Sequence, residues 1–305
     1  MSSHSADEGL VVNDTAQEAS GNSVTADIRI SFKRWLVKNL RNPYVIFTSL
    51  VQPVIFFVLF VEVFGAIAGS ALATALGPDI SYVTYLSPAI IIMSTLSSAA
   101  TSGIGLVDDM EEGMFEKMLV SPMNRSAMFF GKVLSEVARI VVQTVIILLL
   151  GYLLLVLKDG AAFDQYLRTG AAGIFGVVLV TVIFGGAFMA YSNIVALVSR
   201  DQEATIMFAN LLTFPLVFIS SAFLPLSVLP GWIRTVAVFN PITYGVDGVR
   251  AIMLGQDVMT VFEMTAFGGI WNTVVPAVVI LVGFNVLLGS ITIRLLRRAA
   301  RIKVQ

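Results

Sequence analysis

Six long apolar segments constrain the fold of this 305-residue chain more than any other feature. A membrane-spanning helix needs about 20 apolar residues to cross a hydrocarbon layer about 30 Å thick. The segments that meet this requirement are 44–67, 82–106, 134–157, 170–198, 206–224 and 271–293. Only 13% of the residues are charged, too few to cover the surface of a soluble domain of this size. The sequence therefore predicts an all-α integral membrane protein with six transmembrane helices.

The segment 28–41, which precedes the first span, has the pattern of an amphipathic helix with Asp27 as its N-cap. Its apolar residues are spaced three and four apart and form one stripe, while its cations lie largely off that stripe. Such a helix suits the membrane surface, with its apolar face in the acyl boundary and its cations at lipid phosphates. The residues expected to define this interface helix are Phe32, Arg34, Trp35 and Lys38.

The distribution of Lys and Arg predicts the orientation. With a cytoplasmic N-terminus and six crossings, fifteen of these residues lie on the cytoplasmic side and four on the outer side. Cytoplasmic loops carry such an excess, so both termini are expected in the cytoplasm. Residues 1–27 contain acidic side chains and no Lys or Arg, which predicts a disordered acidic cytoplasmic tail, and 301–305 form a second short tail.

The chain offers little side-chain chemistry for catalysis. It has no cysteine, and its single histidine is His4. The GxxxxGK[ST] loop that cradles nucleotide phosphates does not occur in the sequence. We therefore expect no enzymatic activity, no cofactor and no metal in this chain. A net charge of −1 also gives no reason to expect a nucleic-acid partner.

Ionisable groups inside the spans are few, although ion-coupled carriers usually need them there. Glu62 lies well inside a span, toward its outer end, where a side chain reaching the interface is the simplest interpretation. Glu136 and Arg139, three residues apart, are expected to form a local ion pair. Gln52 and Asn210 are neutral, and such side chains more often join helices than line a path. The candidate pathway residues are Gln52, Glu62 and Asn210.

The longest internal cytoplasmic segment, 107–132, interleaves acidic with apolar residues. A short helix that docks on another protein would accommodate both kinds of side chain. A loop folded against its own bundle would do so equally well, and the residues leave both alternatives open. The candidate docking residues are Asp109, Glu111, Glu112, Gly113, Met114, Phe115, Glu116 and Met118.

The region 225–254 contains short apolar runs broken by prolines and charges. This pattern predicts a helical hairpin that enters the outer leaflet and returns, because irregular backbone at that depth is tolerated when protein covers it. Trp232 and Tyr244 suit the membrane interface. Asp247 and Arg250 are spaced to pair. The candidate residues of this region are Pro225, Pro230, Trp232, Asn240, Pro241, Tyr244, Asp247 and Arg250.

Two stretches of the chain resemble the membrane subunit of type-2 ABC exporters, a class that includes drug-resistance and polysaccharide or lipid export permeases. The first stretch contains an acidic run, Glu112-Gly113, Glu116, Ser121-Pro122, Arg125 and Gly131-Lys132. The second contains Phe223-Leu224-Pro225, Leu229-Pro230, Trp232, Asn240-Pro241, Tyr244, Asp247 and Arg250. The order of amphipathic helix, two spans, acidic loop and four spans extends the resemblance over residues 28–300.

The resemblance implies a dimer in the cytoplasmic membrane of a prokaryote, in which each subunit binds one separate P-loop ATPase that holds ATP and Mg. The segment 111–120 would be the coupling helix seated on that ATPase, and the interface helix would also contact it. The stretch after Pro225 would be the re-entrant hairpin near the exit. The substrate would be an amphiphile, lipid, drug or polysaccharide moved outward.

Two other classes of protein remain as alternatives at the level of sequence. An ion-coupled secondary transporter or channel would need a buried carboxylate, for which Glu62 is the candidate. A membrane scaffold or sensor is disfavoured because the chain has no sizeable soluble domain.

Overall fold

The computed structural model describes residues 23–41, 43–76, 80–114, 117, 125–262 and 265–302. These residues form ten α-helices and one 3-10 turn, Leu226–Val228, and contain no strand. The helices are α1 (Val24–Arg41), α2 (Pro43–Leu76), α3 (Tyr82–Glu111), α4 (Arg125–Asp159), α5 (Phe163–Tyr166), α6 (Ala171–Ser199), α7 (Gln202–Phe218), α8 (Gly231–Ala237), α9 (Pro241–Leu254) and α10 (Trp271–Ile302). The prediction of an all-α membrane protein is confirmed.

Within the described residues, five helical stretches are long and apolar enough to cross a membrane. They are Leu50–Ile67, Tyr82–Glu111, Ala127–Asp159, Phe163–Ser199 and Trp271–Leu296. The remaining apolar helix, α7, has 17 residues. At about 1.5 Å per residue it is roughly 25 Å long, a little less than the hydrocarbon thickness of about 30 Å. The fifth predicted span, 206–224, differs from the structure, in which α7 begins at Gln202 and ends at Phe218.

The early end of α7 has a defined cause in Asn240. Its Nδ2 donates hydrogen bonds to the carbonyl oxygens of Leu216 (2.6 Å) and Ile219 (2.7 Å), which are among the groups a helix end leaves without partners. Its Oδ1 accepts from the N–H of Ile242 (3.0 Å), which caps the start of α9. One side chain thus ends one helix and begins another.

The centre of the bundle is α3, which packs against α2, α4, α6, α7 and α9. Its small residues permit close contact with α6. A Cβ atom added at Gly103 would lie 2.4 Å from the carbonyl oxygen of Ser192. The Gly103 N–H donates to Ser192 Oγ (2.9 Å), and that hydroxyl donates to the carbonyl of Ala100 (2.7 Å). These contacts fit the role of small residues in bringing membrane helices together.

The interface helix α1 lies against the N-terminal part of α4, around Met128 and Gly131. It begins at Val24, so Asp27 lies in its first turn and the prediction of Asp27 as N-cap is wrong. The buried face carries Asp27, Ser31 and Trp35, spaced four apart. Ser31 Oγ donates to the carbonyl of Met128 (2.6 Å). Contact with α4 therefore decides which face of α1 is buried. That buried face includes polar residues as well as Trp35. Phe32 is half-buried.

Candidate coupling and exit sites

The C-terminal end of α3 is held to α1 by Asp109. Its carboxylate is buried and accepts from Arg34 Nη2 (2.5 Å) and from Lys38 Nζ (2.9 Å). Opposite charges at these distances, with one partner shielded from water, attract more strongly than an exposed surface pair. Asp109 thus faces α1 and ties the end of α3 to that helix.

Glycine ends α3. Glu112 N–H donates to the carbonyl of Asp108 (2.9 Å), and Gly113 N–H donates to that of Met110 (3.2 Å). Gly113 has φ +67°, a left-handed conformation that favours glycine at a helix end. Lys117 N–H donates to the carbonyl of Gly113 (3.2 Å), the spacing of an α-helical bond. Of the other predicted docking residues, Glu111 and Glu112 are exposed and Met114 is half-buried, while Phe115, Glu116 and Met118 lie outside the described residues.

An open groove runs between α1 and the end of α3. It is lined by Ile30, Lys33, Arg34, Val37, Lys38, Arg41 and Glu112. Four of these seven side chains carry positive charge, and Glu112 is the single acid among them. The structure thereby brings two residues of the predicted interface helix, Arg34 and Lys38, onto one surface with Glu112. Sequence spacing does not reveal this surface, because its two sides are more than 70 residues apart.

Six polar residues of α3, α4 and α6 form a largely buried cluster that we call the inner polar cluster: Ser98, Ser102, Lys132, Glu136, Arg139 and Asn193. Lys132 Nζ donates to Ser102 O (2.9 Å), Ser102 Oγ (2.7 Å) and Asn193 Oδ1 (3.0 Å). It also forms an ion pair with Glu136 (3.0 Å). The cluster therefore joins α3, α4 and α6 through one ammonium group. Lys132 belongs to a stretch that carries the family resemblance, but no sequence pattern predicts its contacts with α3 and α6.

The expected ion pair between Glu136 and Arg139 is wrong. Glu136 pairs with Lys132 one helical turn earlier, on the face of α4 directed into the bundle. Arg139 Nη2 donates instead to the carbonyl of Ser98 on α3 (2.7 Å). Both spacings are compatible with a local pair, so packing against α3 decided between them.

A second buried charged group lies in the predicted re-entrant region. Asp247 and Arg250 pair at 3.3 Å with no solvent exposure, which confirms the expected pairing. Asp247 accepts from Ser221 Oγ (2.6 Å) and from both the hydroxyl (2.5 Å) and the N–H (3.1 Å) of Thr260. A buried ion pair is tolerated when further hydrogen bonds satisfy its remaining atoms, as they do here.

Arg250 connects three parts of the outer half. Its Nη2 donates to the carbonyls of Ser221 (3.0 Å) and Ala222 (3.2 Å), just after α7. Its Nε donates to the carbonyl of Tyr85 on α3 (3.3 Å), and the guanidinium lies 3.8 Å from the centre of the Tyr85 ring. Arg250 thus fixes the turn after α7 against α3 and α9.

The other predicted residues of this region divide between surface and core. Trp232 on α8 is 63% exposed, as expected for a residue at the interface. Tyr244 is only 3% exposed, and its hydroxyl donates to the carbonyl of Val238 (2.6 Å). Its expected place at the interface is wrong because α9 is buried along nearly its whole length. Pro225 and Pro230 precede the 3-10 turn and α8, and Pro241 begins α9.

The candidate pathway residues do not meet in one site. Glu62 Oε1, in the middle of α2, lies 2.7 Å from Lys158 Nζ near the end of α4, so it pairs at the surface. Gln52 on α2 and Asn210 on α7 are exposed on this chain. Among the described residues, no group of three or more His, Asp or Glu side chains is placed to hold a metal ion.

A bundle of apolar helices long enough to cross a membrane, with a charged groove at one end, is typical of the membrane subunit of a transporter. The chain belongs to the ABC-2 type transporter family, whose model matches residues 26–254. The chain is thus the permease subunit of an ABC exporter, as the resemblance of its two motif stretches implied, and the family implies an ABC ATPase as its partner.

Several relatives match more than two thirds of the chain. The daunorubicin resistance ABC transporter permease protein DrrB1 of Streptomyces coeruleorubidus is 24% identical over 213 residues, 70% of each chain. A doxorubicin resistance permease, DrrC, of Mycobacterium tuberculosis is 24% identical over 235 residues, covering 77% of this chain and 79% of its own. A transport permease, ycf38, of Porphyra purpurea is 24% identical over 236 residues, covering 77% of this chain and 76% of its own.

Proposed function

We propose that this permease moves an amphiphilic compound, such as a drug or a lipid, outward across the cytoplasmic membrane, with energy from a P-loop ATPase docked at the groove between α1 and α3. The observation that carries the proposal is the binding of Asp109 by Arg34 and Lys38. Arg34 and Lys38 hold the end of α3 against α1, so a force applied to the exposed Glu111 and Glu112 reaches both elements.

The chemistry of the groove supports a protein partner. Lys33 and Arg41 present cations on one side, and Glu112 presents a carboxylate on the other. A mixed-charge surface next to half-buried Met114 resembles a protein–protein contact more than a contact with anionic lipid, which would favour cations alone. Docking from the cytoplasm requires α1 on that side, and with six crossings the C-terminus would lie there too.

The aromatic side chains along α2 support an amphiphilic substrate. The Phe60 ring stacks on Phe223, with ring centres 4.5 Å apart, and on Phe64 at 5.1 Å. Phe64 is 40% exposed, so its ring can meet a bound molecule. Aromatic faces of this kind bind planar apolar groups. The names of the two drug-resistance relatives agree with such a substrate.

A second copy of the chain would cover the exposed apolar face of α7. Asn210 is exposed beside apolar side chains such as Leu211 (64%) and Phe214 (51%). A carboxamide that faces lipid has no hydrogen-bond partner, whereas across a helix interface it gains one. We expect an Asn210→Cys variant to form a disulfide-linked dimer on oxidation in membranes. Phe175→Cys, on the exposed face of α6, is the control and should stay monomeric.

The test of the ATPase proposal is purification of the tagged permease from its native host in mild detergent, followed by mass spectrometry. We expect a P-loop ATPase at one copy per permease, and ATP-dependent uptake of daunorubicin into inverted membrane vesicles. Recovery of the permease without an ATPase, under conditions that preserve known ABC complexes, would contradict the proposal. Daunorubicin uptake driven by an ion gradient without ATP would favour the ion-coupled alternative.

A further inference from the structure

The ring of Trp35 contacts cations from two charged groups. One is the pair that binds Asp109, and the other is the inner polar cluster. Its centre is 4.9 Å from the Arg34 guanidinium and 5.3 Å from Lys38 Nζ, the two cations that hold Asp109. Lys132 Nζ of the inner polar cluster lies 5.1 Å from the same ring centre. Trp35 is 4% exposed, so these cation–π contacts are shielded from water and stronger than surface ones.

Backbone packing fixes the ring and its helix in this place. A Cβ atom added at Gly105 of α3 would lie 3.1 Å from the Trp35 ring. A Cβ atom at Gly131 of α4 would lie 2.5 Å from Ser31 Cβ and 2.7 Å from the carbonyl of Ile28 on α1. At Gly131 the helices approach too closely to admit even a methyl group, and at Gly105 a methyl group would press against the ring. This packing leaves α1 little freedom to slide over α3 or α4 while the ring is in place.

The inner polar cluster differs from the outer ion pair in how completely its atoms are bonded. Glu136 Oε2 and Arg139 Nε are buried and have no hydrogen-bond partner among the described residues. Asp247, by contrast, accepts from Ser221, Thr260 and Arg250. A buried polar network with unused donors and acceptors can re-pair when its helices shift, whereas a fully bonded network resists any shift.

We propose that Trp35 and Lys132 form a joint that carries movement of the interface helix α1 into α3 and α6. Lys132 is a positioning residue for transport: it contacts Trp35 on one side and Ser102 and Asn193 on the other. In this arrangement a displaced α1 moves the cytoplasmic ends of two spans together with it. This role rests on the proposed function, because the displacement starts at the docked ATPase.

The joint itself can be tested without nucleotide or substrate. The chain contains no cysteine, so nitroxide labels can be attached at Arg29→Cys on α1 and Val198→Cys on α6, both exposed. Labelled protein is mixed with excess unlabelled chain in lipid nanodiscs, and the distance between the labels is measured by pulsed electron resonance. We expect a narrow distribution that broadens by several ångströms in Lys132→Met and returns in Lys132→Arg.

Two further variants keep the test decisive. Trp35→Leu removes the ring while the bonds of Lys132 inside the spans stay in place, and we expect it to broaden the distribution even if Lys132→Met fails to fold. Lys158→Met makes the same substitution at the outer end of the same helix, in an exposed pair, and should keep the narrow distribution. An unchanged distribution in both Lys132→Met and Trp35→Leu would overturn the proposal.

A second arm separates a joint from a simple brace. In the complex purified with its ATPase, we expect Lys132→Met to retain the ATPase, since the ammonium is buried, while daunorubicin transport per ATP hydrolysed falls roughly twofold to thirtyfold. An unchanged ratio would overturn the role in transport. Failure of the wild-type chain to recover any ATPase would contradict the proposed function and leave the label distances to decide the joint.

Discussion

At the scale of single residues, the buried charges show how partners determine what a side chain does. Asp109 and Asp247 are both buried carboxylates, but the first pairs with cations from another helix and the second with Arg250 three residues away. A buried charge needs a partner of opposite charge, because desolvation is costly. Removing one partner is therefore more damaging than replacing a surface charge.

Neutralising Asp247 should destabilise the outer half of the protein. Asp247→Asn leaves the Arg250 guanidinium buried without a counter-charge, and we expect a loss of about 3 kcal/mol in the free energy of unfolding. Thermal unfolding in detergent, followed by tryptophan fluorescence, measures this loss. Asp257→Asn, at an exposed carboxylate of the neighbouring loop, is the control and should shift the midpoint far less. Equal shifts in the two variants would contradict the assignment.

Reversing the charge of Glu112 should weaken ATPase binding. Glu112→Arg adds a fifth cation to a groove that already holds four, so an acidic contact on the permease side is lost. We expect recovery of the ATPase in a pull-down to fall roughly tenfold, equivalent to about 1.4 kcal/mol, with normal membrane insertion. Glu203→Arg changes an exposed acid at the start of α7 and serves as the control. Normal ATPase recovery with Glu112→Arg would show that the docking surface lies elsewhere.

At the scale of elements, close backbone approach decides how α1 lies on the bundle. The absence of a side chain at Gly131 lets α1 approach α4 until their backbones nearly touch. Arg34 and Lys38 of α1 then reach Asp109, and the Trp35 ring reaches Lys132. The close approach at Gly131 thus brings α1 within reach of both Asp109 and Lys132.

Adding a methyl group at this contact should loosen α1. Gly131→Ala places a Cβ atom against the α1 backbone, which cannot move aside as a flexible side chain can, and overpacking of this kind costs roughly 1–3 kcal/mol. We expect faster amide hydrogen exchange across residues 24–41, measured by mass spectrometry. Gly283→Ala in α10, where no atom lies within 4 Å, should leave exchange in α1 unchanged. Slow exchange in α1 of the Gly131→Ala variant would contradict the packing argument.

At the scale of the whole molecule, the charge asymmetry of the sequence and the two polar sites agree on one orientation. The groove with its cations lies at the end that carries most of the Lys and Arg, and the Glu62–Lys158 pair lies at the opposite end. From the positive-inside rule we expect the groove to lie in the cytoplasm.

Introduced cysteines test this orientation directly, because the chain has none of its own. We expect Phe239→Cys, at a side chain 78% exposed on the outer hairpin, to react with a membrane-impermeant maleimide in intact cells. Glu112→Cys should react only after the membrane is permeabilised. The reverse pattern would invert the topology and remove the proposed docking surface from the cytoplasm.

The sequence by itself determined the features that depend on near neighbours along the chain. Apolar length predicted five of the spans, and the spacing of Asp247 and Arg250 predicted their pairing across one turn. In each case the relevant geometry is that of a single helix, which sequence spacing specifies.

Only the tertiary structure decided which of several compatible partners each polar group takes. Arg34 and Asp109 are 75 residues apart, and Asn240 caps a helix that ends more than 20 residues earlier. Glu136 had a partner available on either side along α4, and contact with α3 and α6 selected Lys132. Packing makes these choices, because the burial that makes a partner necessary exists only after the helices have come together.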